Sequence, residues 1–171
     1  MKKKICIIED EKDIVRLLSY NLNKEGYDVV AYGSGENALE FVNSNKPDLI
    51  LLDVMIPSMD GFDVCRQLKS NQDTRLIPVI MVTAKSEDTN IVAGLELGAD
   101  DYITKPFSIG VLIARVRTAL RRTTAVNVHS DDVLDFGRLK IYPSRYEVHL
   151  DDHPIDFNHT EFKLLCCLSN S

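Results

Sequence analysis

The stretch that decides the fold is residues 49–57, Leu-Ile-Leu-Leu-Asp-Val-Met-Ile-Pro. Its four consecutive aliphatic residues follow the turn pair Lys46-Pro47 and predict a strand buried on both faces, which is typical of a parallel sheet covered by helices. Asp53 ends this strand, at the edge of an open α/β sheet where ligands bind. Taken alone, Asp53 is equally well explained as a residue that caps or turns the chain.

Four further apolar segments extend the pattern around this strand. The five predicted strands are residues 5–8, 29–32, 49–52, 78–84 and 101–104. Five amphipathic helices are predicted from apolar residues within the ranges 14–22, 36–43, 62–68, 91–97 and 109–122. Strands that alternate with helices favour an α/β fold, a parallel sheet joined by right-handed crossovers. The fifth helix is predicted to end at Arg121-Arg122, where cations suit the negative end of the helix dipole.

Length and composition set broad limits on the protein. The 171 residues, 44% of them hydrophobic, are enough for one well-cored domain of about 120 residues and a smaller unit. No apolar run reaches the roughly 18 residues of a membrane span, so we expect a cytoplasmic protein with no membrane partner. The four cysteines lack zinc-like spacing and are predicted to be free thiols. The net charge of −6 argues against a chain that grips nucleic acid over its whole surface.

Polar residues with useful chemistry gather at the ends of the predicted strands. Glu9 and Asp10 follow the first strand, Asp53 the third, Thr83 ends the fourth and Lys105 follows the fifth. Because the carboxyl ends of parallel strands share one edge of the sheet, we expect these side chains to converge. Unrelated polar residues would scatter over both edges, so this convergence is the functional signal.

Three carboxylates in one pocket repel each other and need a cation to stay ionised together. Mg²⁺ fits, since it prefers oxygen ligands, here Asp10, Asp53, Glu9 and a backbone carbonyl just past Asp53. Lys105 would add a positive charge and Thr83 a hydroxyl donor towards an approaching phosphoryl group. Asp53 is then the predicted nucleophile. Lys105 precedes Pro106, and an X-Pro bond there can be cis.

The sequence closely resembles the response regulators of two-component signalling, specifically the OmpR/PhoB type. The matching residues are Glu9-Asp10, residues 51–57 with Asp60-Gly61, Thr83-Ala84 and residues 94–107. The resemblance extends over residues 4–122 and is stronger evidence than a single short motif. It implies a flavodoxin-like five-stranded parallel sheet in the order 2-1-3-4-5.

The resemblance also implies roles for individual residues. Asp53 would accept a phosphoryl group from a sensor histidine kinase, and the switch pair would be Thr83 and Tyr102, whose ring would move inward as the Thr83 hydroxyl turns to the phosphoryl group. The loop after Ala84, beginning Lys85-Ser86-Glu87, would move with them. The implied Mg²⁺ ligands are Glu9, Asp10, Asp53 and the Met55 carbonyl. Tyr102 is also compatible with an edge-strand aromatic packed on a helix.

In this family, active receivers form homodimers through the fourth helix, fifth strand and fifth helix. The resemblance implies cross-subunit ion pairs of Asp101 with Arg115 and of Asp100 with Arg122. A third pair of positions carries Ile91 and Val111 instead of opposite charges. We therefore expect an apolar contact there, unless either residue turns into its own core.

The remainder of the chain is predicted to form a linker, residues 123–132, and a second unit, residues 133–171. Alternating strands followed by a helix near Thr160 resemble the start of a winged-helix DNA-binding domain without its recognition helix and wing, in either a shortened or an interrupted product. Residues 123–171 carry four Lys/Arg against eight Asp/Glu. We therefore expect promoter DNA as a partner only of a complete effector domain, and poor packing or strand exchange past about residue 125.

Two alternative functions are consistent with parts of the pattern. A haloacid-dehalogenase-like phosphatase also uses an aspartate nucleophile with Mg²⁺, but it needs a second acid where this chain has Met55. A DNA-independent receiver or phosphate sink fits the acidic second unit. In either receiver interpretation the protein is not an enzyme beyond Mg²⁺-dependent phosphorylation and dephosphorylation of its own Asp53.

Overall fold

The computed structural model describes residues 2–84, 97–128, 133–142, 147–151, 153–155, 161–162 and 164–165. The chain divides into two compact units, Met1–Leu120 and Arg121–Ser171. Among the described residues, no helix is long and apolar enough to cross a membrane.

The first unit contains a five-stranded sheet whose neighbouring strands all run parallel. Its strands are β1 (Lys4–Ile8), β2 (Asp28–Tyr32), β3 (Leu49–Leu52), β4 (Val79–Thr83) and β5 (Asp101–Thr104). They pair in the order β2-β1-β3-β4-β5. The predicted flavodoxin-like parallel sheet and its strand order are confirmed.

Four helices are described around this sheet. They are α1 (Lys12–Lys24), α2 (Gly35–Asn45), α3 (Gly61–Ser70) and α4 (Ile109–Val128). The helix predicted over residues 91–97 lies outside the described residues, apart from Leu97, which is in a turn that ends at Gly98 with φ of 92°. The α4 helix therefore corresponds to the fifth helix of the prediction.

The predicted end of this last helix at Arg122 is wrong, because α4 continues to Val128. Its final six residues were predicted to be linker because they lack an apolar stripe. Extending an existing helix costs little free energy, because nucleation has already occurred and each further residue adds one hydrogen bond. The absence of an apolar stripe therefore does not mark the helix end.

The core explains why residues 49–52 are all apolar. Ile50 and Leu52 point to one side of the sheet, where α2 and α3 cover them, and Leu49 and Leu51 point to the other, with residues of α1 and α4. All four side chains are at most 1% exposed. The sheet is thus the middle layer of three. Both of its faces are covered, and polar residues lie at the carboxyl ends of its strands.

The second unit contains an antiparallel sheet of β6 (Leu134–Phe136), β7 (Leu139–Tyr142), β8 (Glu147–Leu150) and β9 (His153–Ile155) in sequential order. The alternating apolar and polar residues 134–142 therefore form two strands and not one. Gly137 adopts φ of 77° and donates its N–H to Asp135 Oδ1 at 2.8 Å, which makes a hairpin turn.

The expected poor packing of this unit is also wrong at its centre. Ile141 and Val148 are at most 1% exposed, and Phe162, from the helical residues 161–162, packs on them and is 4% exposed. Phe162 therefore covers the centre of the antiparallel sheet. Phe136 and Leu150 at the rim remain 54% and 41% exposed.

Candidate functional site

Polar side chains from four strands meet at the carboxyl edge of the parallel sheet, as predicted. β1 and β3 are adjacent in the sheet, and the Asp53 N–H donates to the Ile8 carbonyl at 2.9 Å, which places Asp53 beside Glu9. Thr83 ends β4 opposite Thr104 of β5, and Lys105 N–H donates to the Thr83 carbonyl at 2.8 Å. Main-chain hydrogen bonds in the sheet therefore place the backbone of these residues at the same edge.

Glu9, Asp10 and Asp53 form the acidic cluster of this edge. Each offers a carboxylate oxygen, and the three oxygens lie within 4.8 Å of one another. Glu9 and Asp53 are only 4% and 5% exposed, whereas Asp10 is exposed. Buried carboxylates are costly unless they are paired with cations or hydrogen-bond donors.

Lys105 supplies a cation to the buried part of the cluster. Its Nζ donates to Glu9 Oε2 and to Asp53 Oδ2, both at 2.7 Å. Burial acts to lower the pKa of Lys105, but the hydrogen bonds that it donates to Asp53 and Glu9, together with their negative charges, outweigh burial, so the pKa is raised. Lys105 therefore remains an ammonium group in the middle of the site. The Lys105–Pro106 peptide bond is cis, consistent with the sequence expectation.

Backbone groups hold the remaining carboxylate oxygens. The Met55 N–H donates to Asp53 Oδ1 at 3.0 Å, and the Glu11 N–H donates to Glu9 Oε1 at 3.2 Å. Burial nevertheless raises the pKa of Glu9, and the nearby Asp53 charge adds to this, although Lys105 opposes it. The Asp53 carboxylate thus has one oxygen oriented by the main chain and one held by a lysine.

Sequence reasoning missed the importance of Gly61, the first residue of α3. A Cβ atom there would lie 2.7 Å from Val54 Cα and would also collide with the Asp53 carbonyl oxygen. The Gly61 N–H donates to the Val54 carbonyl at 2.9 Å, and Asp60 caps α3 by accepting from the Phe62 N–H at 2.8 Å. The Asp60-Gly61 pair in the sequence was the available signal for this close approach.

The predicted switch residues are both buried. Thr83 is fully buried, and the Tyr102 ring is 9% exposed and lies in the core cluster on the α2 and α3 side of the sheet. Burial raises the pKa of Tyr102, and the Asp53 charge adds to the effect. The movement of the Thr83 hydroxyl and of the Tyr102 ring on phosphorylation stays a prediction. The loop Lys85-Ser86-Glu87 lies outside the described residues.

The predicted dimer residues are only partly described. Val111 is 49% exposed, so it does not turn into its own core.

Of the two predicted ion pairs, one is formed within the chain. Arg115 Nη1 donates to both carboxylate oxygens of Asp101, at 2.6 and 2.7 Å. Asp100 accepts from Lys69 at 2.8 Å within the chain, and its pairing with Arg122 stays a prediction. Ile91 and the Arg122 side chain lie outside the described residues.

Comparison with known proteins agrees with this arrangement. The family model described as response regulator receiver domain matches residues 5–117. The chain belongs to the response regulator receiver family. Membership disfavours the haloacid-dehalogenase-like alternative, which the missing acid at Met55 had already weakened.

Individual relatives place this response regulator in the OmpR/PhoB type. It is 45% identical to the alkaline phosphatase synthesis transcriptional regulatory protein PhoP of Bacillus subtilis, over 98% of this chain and 72% of the relative. DrrB of Thermotoga maritima, an OmpR/PhoB homologue, is 34% identical, with a TM-score of 0.63 over 99% of this chain and 73% of DrrB. The BeF3-activated receiver domain of Klebsiella pneumoniae RstA is 39% identical, with a TM-score of 0.65 over 70% of this chain and 99% of that domain.

Proposed function

We propose that this response regulator accepts a phosphoryl group on Asp53 from a sensor histidine kinase. The observation that carries the proposal is the position of Asp53, with Lys105 Nζ at 2.7 Å from one carboxylate oxygen and the Met55 N–H at 3.0 Å from the other. A nucleophile held in this way is pre-oriented, and a fixed cation next to it stabilises charge that develops during transfer.

The transfer exchanges one phosphorus bond for another. A carboxylate oxygen of Asp53 attacks phosphorus, the P–N bond to the kinase histidine breaks, and the bond electrons return to the imidazole. The product is an acyl phosphate on Asp53. Lys105 is close enough to Asp53 to contact the negatively charged phosphoryl group after transfer. Thr83, at the end of β4, is the proposed hydroxyl donor to the phosphoryl oxygens. Tyr102 is the second proposed residue of the switch.

The acidic cluster fits Mg²⁺, because its donors are hard carboxylate oxygens within 4.8 Å of one another and Asp10 leaves it open to solvent. Glu9, Asp10 and Asp53 would hold the ion together with the Met55 carbonyl. Bound Mg²⁺ would neutralise phosphoryl oxygens. In this structure Lys105 and the Met55 N–H orient the Asp53 carboxylate.

The direct test is incubation with acetyl phosphate and Mg²⁺, followed by intact mass measurement. The wild-type protein and Asp60→Ala should gain one phosphoryl group, whereas Asp53→Ala should not. Asp60 is a matched control because its carboxylate caps α3, at the start of the helix that follows Asp53. An adduct that persists in Asp53→Ala would refute the assignment.

We further propose that phosphorylation drives homodimerisation and transcription control. The similarity to PhoP supports this proposal. Residues 123–171 carry four Lys/Arg against eight Asp/Glu, which is unfavourable for contact with DNA phosphates. That charge balance favours the alternative for this chain, a DNA-independent receiver or phosphate sink. In a gel-shift assay, a phosphorylation-dependent shift of promoter DNA by this chain would support direct transcription control, and the absence of a shift would support the DNA-independent alternative.

A further inference from the structure

We propose that Gly35 is a positioning residue for the phosphoacceptor, although it lies on α2, which contributes no side chain to the site. This inference rests on the proposed function. It concerns the Asp53 loop, residues 54–60, which joins Asp53 to α3. Gly35 is the first residue of α2 and is buried.

The space beside Gly35 is filled by the Asp53 loop and by α3. A Cβ atom on Gly35 would lie 2.7 Å from Val64 Cγ2, and 3.4 Å from both Ile56 Cδ1 and Met59 Cβ. Ile56 and Met59 belong to the Asp53 loop, and Val64 lies in the first turn of α3. Val64 is fully buried and β-branched, so it has no free rotamer into which Cγ2 could retreat.

The other side of the Asp53 loop is equally constrained. The Gly61 contact seats α3 directly on the main chain of Asp53 and Val54, so α3 has no room to move towards the strand. A side chain at Gly35 would therefore push on Val64 and, through it, on the first turn of α3, to which the Asp53 loop is joined. Within that loop, the Met55 N–H orients Asp53 Oδ1. Displacement at Gly35 is thus transmitted to the nucleophile.

Gly35 is not in a conformation reserved for glycine, as its φ is outside the left-handed region. The absence of a side chain is therefore explained by the close packing and not by the backbone conformation.

The test measures Asp53 phosphorylation by acetyl phosphate in Gly35→Ala, Val64→Ala and the double variant, together with thermal unfolding. In Gly35→Ala we expect a rate at least about tenfold lower, because displacing a reacting group by about 1 Å costs up to ~10²-fold. Its fold should be retained, and its Met55 amide proton resonance should shift. The double variant should recover the rate and the resonance of Val64→Ala, since the colliding Cγ2 atom has been removed.

Gly61→Ala is the contrasting variant, because its collision is with main-chain atoms and Val64→Ala should not rescue it. A Gly35→Ala protein that phosphorylates at the wild-type rate, that is not rescued by Val64→Ala, or that fails to fold would overturn the inference. A wild-type protein that gains no phosphoryl group would instead overturn the proposed function. The two failures are therefore distinguishable.

Discussion

Lys69 and Asp100 form an ion pair at 2.8 Å in which the two side chains are only 7% and 6% exposed. Lys69 Nζ also donates to the Ile77 carbonyl at 2.9 Å, and Asp100 Oδ2 accepts from the Val79 N–H at 3.0 Å. The pair therefore ties the end of α3 to the starts of β4 and β5. These two strands carry Thr83 and Lys105 at their opposite ends.

Removal of one partner from this buried pair should destabilise the first unit strongly. Asp100→Ala leaves the Lys69 ammonium buried without its counter-charge, which costs roughly 3–5 kcal/mol. The free energy of unfolding in urea measures the effect. Asp63→Ala is the control, because its pair with Arg66 is about half exposed and should be worth about 1 kcal/mol or less. Equal losses in the two variants would contradict a structural role for Asp100.

Mg²⁺ should stabilise the protein against heat through the acidic cluster. Saturation at about 100 times the dissociation constant contributes about 2.7 kcal/mol, which raises the unfolding midpoint by roughly 5 °C or more. Asp10→Ala should lose most of this increase, since it removes one of the three carboxylates. Asp13→Ala, which removes an exposed carboxylate on α1, should retain it. If Asp10→Ala and Asp13→Ala respond identically, the ion is not bound by the cluster.

Because Val111 is exposed, we predict that it forms an apolar dimer contact with Ile91 of a second copy. Either Ile91→Lys or Val111→Lys should weaken phosphorylation-dependent dimerisation about tenfold, equivalent to about 1.4 kcal/mol, because a charge would be buried without a partner. Sedimentation measures the dimerisation constant. Leu17→Lys, at a residue of α1 that is 47% exposed, is the control for added charge. Unchanged dimerisation in both test variants would place the contact elsewhere.

Cys6 and Cys65, the cysteines among the described residues, are buried and should resist alkylation in the folded protein. Burial raises the pKa of Cys6 to about 12 and that of Cys65 to about 11, so at pH 8 both remain protonated and unreactive. In urea their pKa values return towards about 8.5, and both should react with iodoacetamide. Peptide mass spectrometry resolves the two sites. Rapid modification of folded Cys65 at pH 8 would show that it is not enclosed.

Local sequence signals were sufficient for the framework of the first unit. The apolar run of residues 49–52 predicted a strand covered on both faces, and the structure places its side chains alternately in the two core clusters. The strand ends predicted which polar residues share one edge, since parallel strands all finish on the same side. Local signals failed for the end of α4 and for the β6–β7 turn, where helix extension and an Asp135 hydrogen bond override the apolar pattern.

The sequence alone therefore determined the layers, the strand order expected from the family and the side chains that meet at the sheet edge. Only the tertiary structure decided how charged groups pair: Lys105 bridges Glu9, 96 residues away in the chain, and Asp53, while Lys69 pairs with Asp100 at 2.8 Å. It also revealed the close packing at Gly35 and Gly61. Apolar periodicity is a property of neighbouring residues, whereas these distances follow from how separate helices and strands pack together.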